Sequence, residues 1–483
     1  MPKNLQQKAL NGIAWSLLDQ IVNKLGYLIL LIYLSRVLTP ADFGLIAMLT
    51  IFLAISQSIA DSGFSHALVQ KSSKATESDF STVFYINIFM ALILYGLLYF
   101  SAPFISEFYN APELTMLSRV LFLMIIINAF SIVPKSKLII KIDFKSQSLI
   151  NTAAMLASVV VTIYMVNENL GYWALVGMNL SKALFSSVLL FLYSKWFPRE
   201  KFSRKSFKSL FSFGSKLLLT GLLSTITQNL YIILIGRYFN PTQVGYFQQG
   251  FNYTNLLSGT VTSVIQGVTY PIMTSIQEDK ERLVKLYIRV MGLIALVTFP
   301  IFIGFAAVSE EFVLIFLGEK WIPIIPILII LSFARLITPI SSLNLNILNA
   351  RGRSDLFLKT DLSKIPMIIL ALLISVPYGI TAVAVAQLIT TVISFFINAY
   401  YPGKLFGFGS IEQLKQIFPV SLASLFMYEC MMFVDFESVE IQMLVKILIG
   451  VISYLIACKV LKVEAYFDLS QLLLKKFRKV NKI

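Results

Sequence analysis

Long apolar stretches recur along almost the whole chain, and they constrain it more than any motif does. A helix needs about 20 mostly apolar residues to cross the hydrocarbon of a bilayer. Fourteen stretches qualify, at about 11–36, 43–65, 80–105, 114–134, 147–166, 170–193, 209–236, 243–272, 287–308, 322–346, 362–378, 380–400, 416–434 and 441–460. Pro377-Tyr378-Gly379 alone divides the eleventh from the twelfth, so those two read as a tight helical hairpin. Hydrophobic residues make up 57% of the 483 residues and charged residues only 13%. A soluble domain carries about 25% charged residues, and half that share cannot solvate a surface of this size. A soluble enzyme, a disordered chain and a disulfide scaffold are thereby excluded. The stretches are also too long, and alternate too little, for an outer-membrane barrel. The expected fold is an all-α polytopic membrane protein with about 14 transmembrane helices.

Charge then orients the helices. The formal net charge is +15, from 40 Lys and Arg against 25 Asp and Glu. With the N-terminus in the cytoplasm and the spans alternating, 31 basic residues fall on the inner side. Only Arg36, Arg119, Arg237 and Lys320 fall on the outer side, where acids such as Glu107, Glu168, Glu310 and Glu311 collect. This is the positive-inside asymmetry. It predicts that both termini are cytoplasmic, and it accounts for most of the charge without a nucleic-acid partner. The polar start, Met1 to Leu10, leads straight into a long helix with no small-residue cleavage site, so no removable signal peptide is expected.

A repeat appears at an offset of 201 residues. Arg36-Val37-Leu38-Thr39-Pro40-Ala41-Asp42-Phe43-Gly44 joins the first two spans, and Arg237-Tyr238-Phe239-Asn240-Pro241-Thr242-Gln243-Val244-Gly245 joins the seventh and eighth. Arg, Pro and Gly match, and both copies fall on the outer side. Two parallel six-helix bundles, 1–200 and 201–400, are expected, followed by a C-terminal helical hairpin and basic tail over 401–483. A basic linker at 194–208 separates the bundles. Twin bundles of this kind suit alternating access around a central site.

Charges inside spans are unfavourable by about 2.5–3.5 kcal/mol each on insertion scales, so they normally face a cavity or a partner. Glu429 and Lys446 are equidistant from the outer turn near Glu437, which predicts a structural ion pair between the last two helices. The remaining bases, Lys24, Lys182, Lys216 and Arg335, outnumber the acids Asp19 and Asp61. If they share one cavity, it is electropositive and fits an anion, above all phosphate. The plainer reading is local pairing of Asp19 with Lys24 and snorkelling of Lys216 to the interface. Polar faces accompany the charges. Asn23 lies on the first helix, Gln228 on the seventh, and Gln248, Asn252, Asn255 and Gln266 on the eighth. Their amides can hydrogen-bond sugar hydroxyls, although helix–helix contacts also use such groups.

Catalytic arrangements are missing from the sequence. It contains no Gly-x-x-x-x-Gly-Lys loop for ATP and no large extramembrane segment. The two cysteines, Cys430 and Cys458, lie in apolar runs without metal-ligand spacing, and the only histidine is His66. No cofactor, metal or catalytic residue is expected.

The run Gly12-Ile13-Ala14-Trp15 through Leu38-Thr39-Pro40-Ala41-Asp42-Phe43-Gly44-Leu45 resembles the Wzx-type polysaccharide flippases. So do the inner-loop stretches Lys141-Ile142-Asp143-Phe144-Lys145 and Asn349-Ala350-Arg351-Gly352-Arg353-Ser354-Asp355. Within that group the chain is similar to the colanic and teichuronic acid branch of the multidrug/oligosaccharidyl-lipid/polysaccharide exporter superfamily. The resemblance implies a bacterial inner-membrane flippase for undecaprenyl-pyrophosphate-linked oligosaccharide units in lipopolysaccharide or exopolysaccharide biosynthesis. It also implies a polysaccharide polymerase and glycosyltransferases as possible partners. The four basic residues would then hold the pyrophosphate and the polar helices would pass the glycan. Transport would draw on an ion gradient, for which the membrane-charge argument offers Asp19 and Asp61. A cation-coupled multidrug exporter of the same superfamily is the alternative, but it calls for an acidic cavity. An O-antigen ligase would need a His or acid pair beside a large outer loop.

Overall fold

In hydrocarbon the backbone must satisfy its own hydrogen bonds, and an apolar chain does so as helix. The computed structural model describes residues 3–61 and 63–471, and these contain no strand. Fourteen long helical elements follow one another: α1 (Lys3–Val37), α2 (Pro40–Asp61), α3 (Glu77–Tyr109), α4 (Leu114–Ile140), α5 (Phe144–Asn167), α6 (Trp173–Ser194), α7 (Arg204–Tyr238), α8 (Pro241–Ser275), α9 (Lys280–Ala307), α10 (Glu319–Ala350), α11 (Ser354–Ser375), α12 (Ile380–Phe406), α13 (Ser410–Met432) and α14 (Val439–Val460). Ten of them, α1 to α6, α9, α10, α12 and α14, hold a stretch long and apolar enough to cross a membrane. The others are helices of 22 to 35 residues. The molecule is a multi-pass α-helical membrane protein. Each apolar stretch of the sequence falls mostly on one of these elements. The ends move outward where a helix continues past the apolar run, as at α11, which starts at Ser354 rather than 362.

Contacts divide the chain into two compact units, Met1–Gln248 and Gln249–Ile483. In the first, α1 packs on α5, α5 on α6, and α7 on α2 and α3. The basic linker that marks the expected boundary at 200/201 lies inside this unit, because it is bonded to α3. The backbone N–H of Ser203 donates to the Thr82 hydroxyl at 3.0 Å, that of Glu200 to Ser81 at 3.3 Å, and Trp196 Nε1 donates to Glu77. In the second unit, α9 packs on α10 and α13, α13 on α14, and α10 on α12. A buried triangle of Tyr287, Asn344 and Gln413 ties α9, α10 and α13 together. The tyrosine hydroxyl donates to Asn344, Asn344 Nδ2 to Gln413 Oε1 at 3.0 Å, and Gln413 Nε2 to the tyrosine oxygen at 3.0 Å and to Phe408 O at 3.1 Å. A fully paired network of this kind fixes one packing arrangement.

The repeat is visible in local chemistry. At the first copy Thr39 precedes Pro40, the first residue of α2, and Asp42 Oδ2 accepts from the Thr39 N–H at 2.8 Å. At the second copy Asn240 precedes Pro241, and its Oδ1 accepts from the Gln243 N–H at 2.9 Å. Both start a helix with a polar cap and a proline that has no N–H to satisfy. The two copies also touch. A Cβ on Gly44 would lie 1.8 Å from Pro241 O, and a Cβ on Gly245 would lie 1.8 Å from Pro40 O. The matched glycines thus let the starts of α2 and α8 approach backbone to backbone.

A second pair of related turns closes α4 and α10. The N–H groups of Ile142 and Asp143 return to Ile139 O and Leu138 O, and those of Gly352 and Arg353 return to Asn349 O and Leu348 O. These are the same helix-ending bonds, with Ile142 at φ 57° where Gly352 has φ 70°. Asp143 then caps α5, its Oδ1 accepting from the Ser146 N–H at 3.1 Å and its Oδ2 from the Tyr193 hydroxyl at 2.9 Å. Burial works against its charge, but these donors hold the carboxyl below the usual range. The two family-like inner-loop stretches are therefore turn-forming segments.

Overpacking at a backbone contact is unfavourable by about 1–3 kcal/mol. Gly44→Ala and Gly245→Ala should each lower the thermal unfolding midpoint in detergent. Gly96→Ala, where a Cβ meets nothing within 4 Å, should not lower it, because alanine favours the helix interior.

Candidate functional site

The first unit gathers one polar cluster inside its helices. Asp19 on α1 is held at both oxygens by amides. Asn23 Nδ2 donates to Oδ1 at 2.7 Å and Asn151 Nδ2, on α5, donates to Oδ2 at 3.2 Å. Asn23 also donates to Asp19 O at 3.0 Å, one turn back on the same helix. Lys182 on α6 is exposed and lies within electrostatic reach of Asp19. Lys24 is half-buried on α1. The hydrogen bonds to the Asp19 carboxylate thus come from amides, and one of them bridges α1 and α5. Asn151 went unnoticed in the sequence, where its only signal is a lone amide in an apolar run.

Asp61 ends α2. Its Oδ1 accepts from the Ser65 N–H at 3.1 Å and so starts the short helix Phe64–Lys71, after a left-handed turn at Gly63. The side chains of Lys216, Gln228 and Gln266 lie outside the described residues. Gln248 is half-buried and Asn255 exposed. Asn252 Nδ2 donates to Oε1 of the buried Gln249 at 2.9 Å, so part of the α8 polar run pairs along its own helix.

The second unit holds Arg335. Its guanidinium carbon lies 4.3 Å from the centre of the Phe251 ring. Among the described residues its buried Nε and Nη2 have no hydrogen-bond partner. The residue sits just before Ile337, where α10 divides into Ile325–Leu336 and Thr338–Ala350 with Pro339 opening the second piece. Proline has no N–H to continue the helix, so the ladder is interrupted beside the cation. Phe251, ten residues after the second repeat proline, is the neighbour that the sequence did not reveal.

Lys446 corrects an expectation. Its Nζ pairs with Glu311 Oε1 at 2.5 Å, with side-chain exposures of 7% and 2%, and not with Glu429. Gln442 Nε2 donates to the same oxygen at 2.8 Å. Counting residues along the chain does not show which face of a helix is buried. On α13 the buried positions include Met427 and Met431. Glu429 is two residues from each, about 200° round the helix, and is exposed. Lys446 shares the buried stripe of α14 with Gly450, Ser453 and Tyr454. Glu311, in the short helix Ser309–Phe312 after α9, reads as a loop acid in the sequence.

Removing one partner of a buried pair is unfavourable by about 3–5 kcal/mol, whereas exposed sites change stability by about 0.5 kcal/mol or less. Lys446→Ala should therefore sharply reduce the yield of folded protein, and Glu429→Ala should not. Folded yield by fluorescence-detected gel filtration measures both.

Comparison with known proteins places the chain. Residues 33–326 match the family described as polysaccharide biosynthesis protein. The teichuronic acid biosynthesis protein TuaB of Bacillus subtilis (strain 168) is 26% identical over 406 residues, which cover 82% of this chain and 83% of that protein. The lipopolysaccharide biosynthesis protein WzxC of Escherichia coli (strain K12) is 23% identical over 410 residues, covering 82% and 81%. Among solved structures, an inward closed conformation of the lipid II flippase MurJ matches with a TM-score of 0.75 at 18% identity, over 95% of this chain and 99% of that one, and so shares its fold. The family match spans more than half of the sequence: the chain belongs to the polysaccharide biosynthesis protein family, in keeping with its resemblance to the Wzx-type flippases.

Proposed function

We propose that the chain is a flippase for a polyprenyl-pyrophosphate-linked oligosaccharide, undecaprenyl being the expected carrier. It moves this cargo from the cytoplasmic to the outer leaflet of a bacterial cytoplasmic membrane during surface-polysaccharide assembly. Both termini are cytoplasmic in this reading, which the charge asymmetry supports. Membership of a polysaccharide biosynthesis family supports the glycan, and the names of TuaB and WzxC support an acidic or lipid-linked polymer. The protein acts as a transporter and not as an enzyme.

The observation that carries this reading is Arg335. Two buried guanidinium donors without partners among the described residues are unfavourable by about 1–3 kcal/mol each, and a planar fork of donors matches phosphate oxygens. In the proposed cycle Arg335, with Lys24, Lys182 and Lys216, takes the pyrophosphate. Asn23, Gln228, Gln248, Asn252, Asn255 and Gln266 exchange hydrogen bonds with the glycan. Asp19 and Asp61 are the proposed coupling carboxylates for ion-linked alternating access. Asp19 is the better placed of the two, since Asn23 and Asn151 already hold both its oxygens. Protonating it or binding a cation would loosen its attraction for Lys182. The basic set disfavours a cationic drug as cargo.

In a strain lacking its own flippase, the wild-type chain should restore surface polysaccharide. Arg335→Ala should lower export about tenfold, the equivalent of 1.4 kcal/mol, at unchanged protein level, and Arg335→Lys should recover part of it. Normal polymer from Arg335→Ala, Lys24→Ala and Lys182→Ala alike would remove the phosphate-holding role. Asp19→Asn should preserve protein level but abolish any dependence of export on the ion gradient.

A further inference from the structure

An aromatic groove opens on the first unit, away from the polar cluster of α1, α5 and α6. It encloses about 440 Å³, and its walls include Phe64, Tyr85, Phe89, Phe202, Phe207 and Phe211. Phe64 is the buried floor, 1% exposed, while Phe89 is 63% exposed at the rim. The rings of Phe207 and Phe211 stack at 5.2 Å, and Phe64 lies 6.1 Å from Phe207. The groove is a built feature. The bonds from Glu200 and Ser203 to the α3 hydroxyls hold the linker against that helix, and the Ser203 side chain caps α7.

The charge beside the groove is one-sided. Between 195 and 211 stand Lys195, Arg199, Lys201, Arg204, Lys205 and Lys208, against the single acid Glu200. All six bases are exposed, and none forms an ion pair among the described residues. The acids at the start of α3 are already engaged, Glu77 with Lys137 at 3.2 Å and Asp79 with Lys71 at 2.6 Å. On α7, the 3.6-residue period sets Arg204 and Lys208 on the stripe next to Phe207 and Phe211. An apolar cleft flanked by unpaired cations suits a molecule with a hydrocarbon chain and an anionic head.

We propose that this groove is a docking site for the prenyl chain of a phosphorylated polyprenyl lipid, with the linker bases holding its phosphate. The proposal rests on the flippase reading and adds to it a place where the carrier waits on the basic side of the membrane. An ordinary phospholipid tail already has the bilayer to occupy and needs no cleft. A long chain with regular methyl branches gains from ring faces on several sides. The basic linker belongs to the side that the charge asymmetry assigns to the cytoplasm, where the cargo is loaded in the proposed cycle.

The test uses the full chain in vesicles of phosphatidylethanolamine and phosphatidylglycerol, with a diazirine-bearing undecaprenyl phosphate as photoprobe. Cross-linked peptides should contain residues 85–90 and 202–211. Unlabelled undecaprenyl phosphate should compete, and added phosphatidylglycerol should not. Arg204→Ala with Lys208→Ala, and separately Phe89→Ser, should each lower labelling several-fold without changing protein yield, because all three side chains are exposed. Labelling confined to other helices, or equal competition by phosphatidylglycerol, overturns the groove even if the wild-type chain restores export. Labelling in the groove by a chain that restores no export supports the site and overturns the flippase reading instead.

Discussion

A hydrocarbon layer offers no hydrogen bonds, so a polar group inside it must find its partner within the protein. This constraint orders the whole molecule. It makes the backbone helical, and it forces each polar side chain in a span to pair, to reach the interface or to await a ligand. Asp19 takes two amides, Glu311 takes Lys446 and Gln442, and Tyr287, Asn344 and Gln413 satisfy one another. These groups act as cross-links between helices. Against that background the donors of Arg335 stand out, because among the described residues its neighbours, an aromatic ring and a broken helix, supply no acceptor.

The repeat has a physical purpose beyond ancestry. Its glycines are matched because each lets its helix start press on the carbonyl of the other copy's proline. The same logic runs through the turns after α4 and α10, which share their hydrogen bonds although their residues differ. A left-handed residue is easy for Gly352 and strained for Ile142. The second turn is therefore the easier of the two to form.

In the proposed cycle charge serves the cargo as well as the orientation. The bases deep in the spans form the proposed phosphate path, while those of the 194–208 linker border an apolar groove. Hydrogen bonds to α3 keep that linker from behaving as a loose tether. A positive-inside count treats both sets alike, because it registers only side and number.

Much of the architecture was legible in the sequence. Run length and apolarity determined the helices, because crossing a bilayer demands about 20 such residues whatever surrounds them. The repeated Arg, Pro and Gly marked the paired turns, and the N-terminal and inner-loop stretches pointed to the family. Counting along α13 and α14 matched Lys446 with Glu429, since rise per residue is fixed. Its partner was decided only by tertiary structure. Choosing Glu311 over Glu429 depends on which face of each helix is buried and on which short segment folds against it. The same holds for Asn151 beside Asp19 and Phe251 beneath Arg335. Linear spacing fixes height and angle on one helix, but the neighbour is set by how separate helices pack, and no spacing within a single helix encodes that.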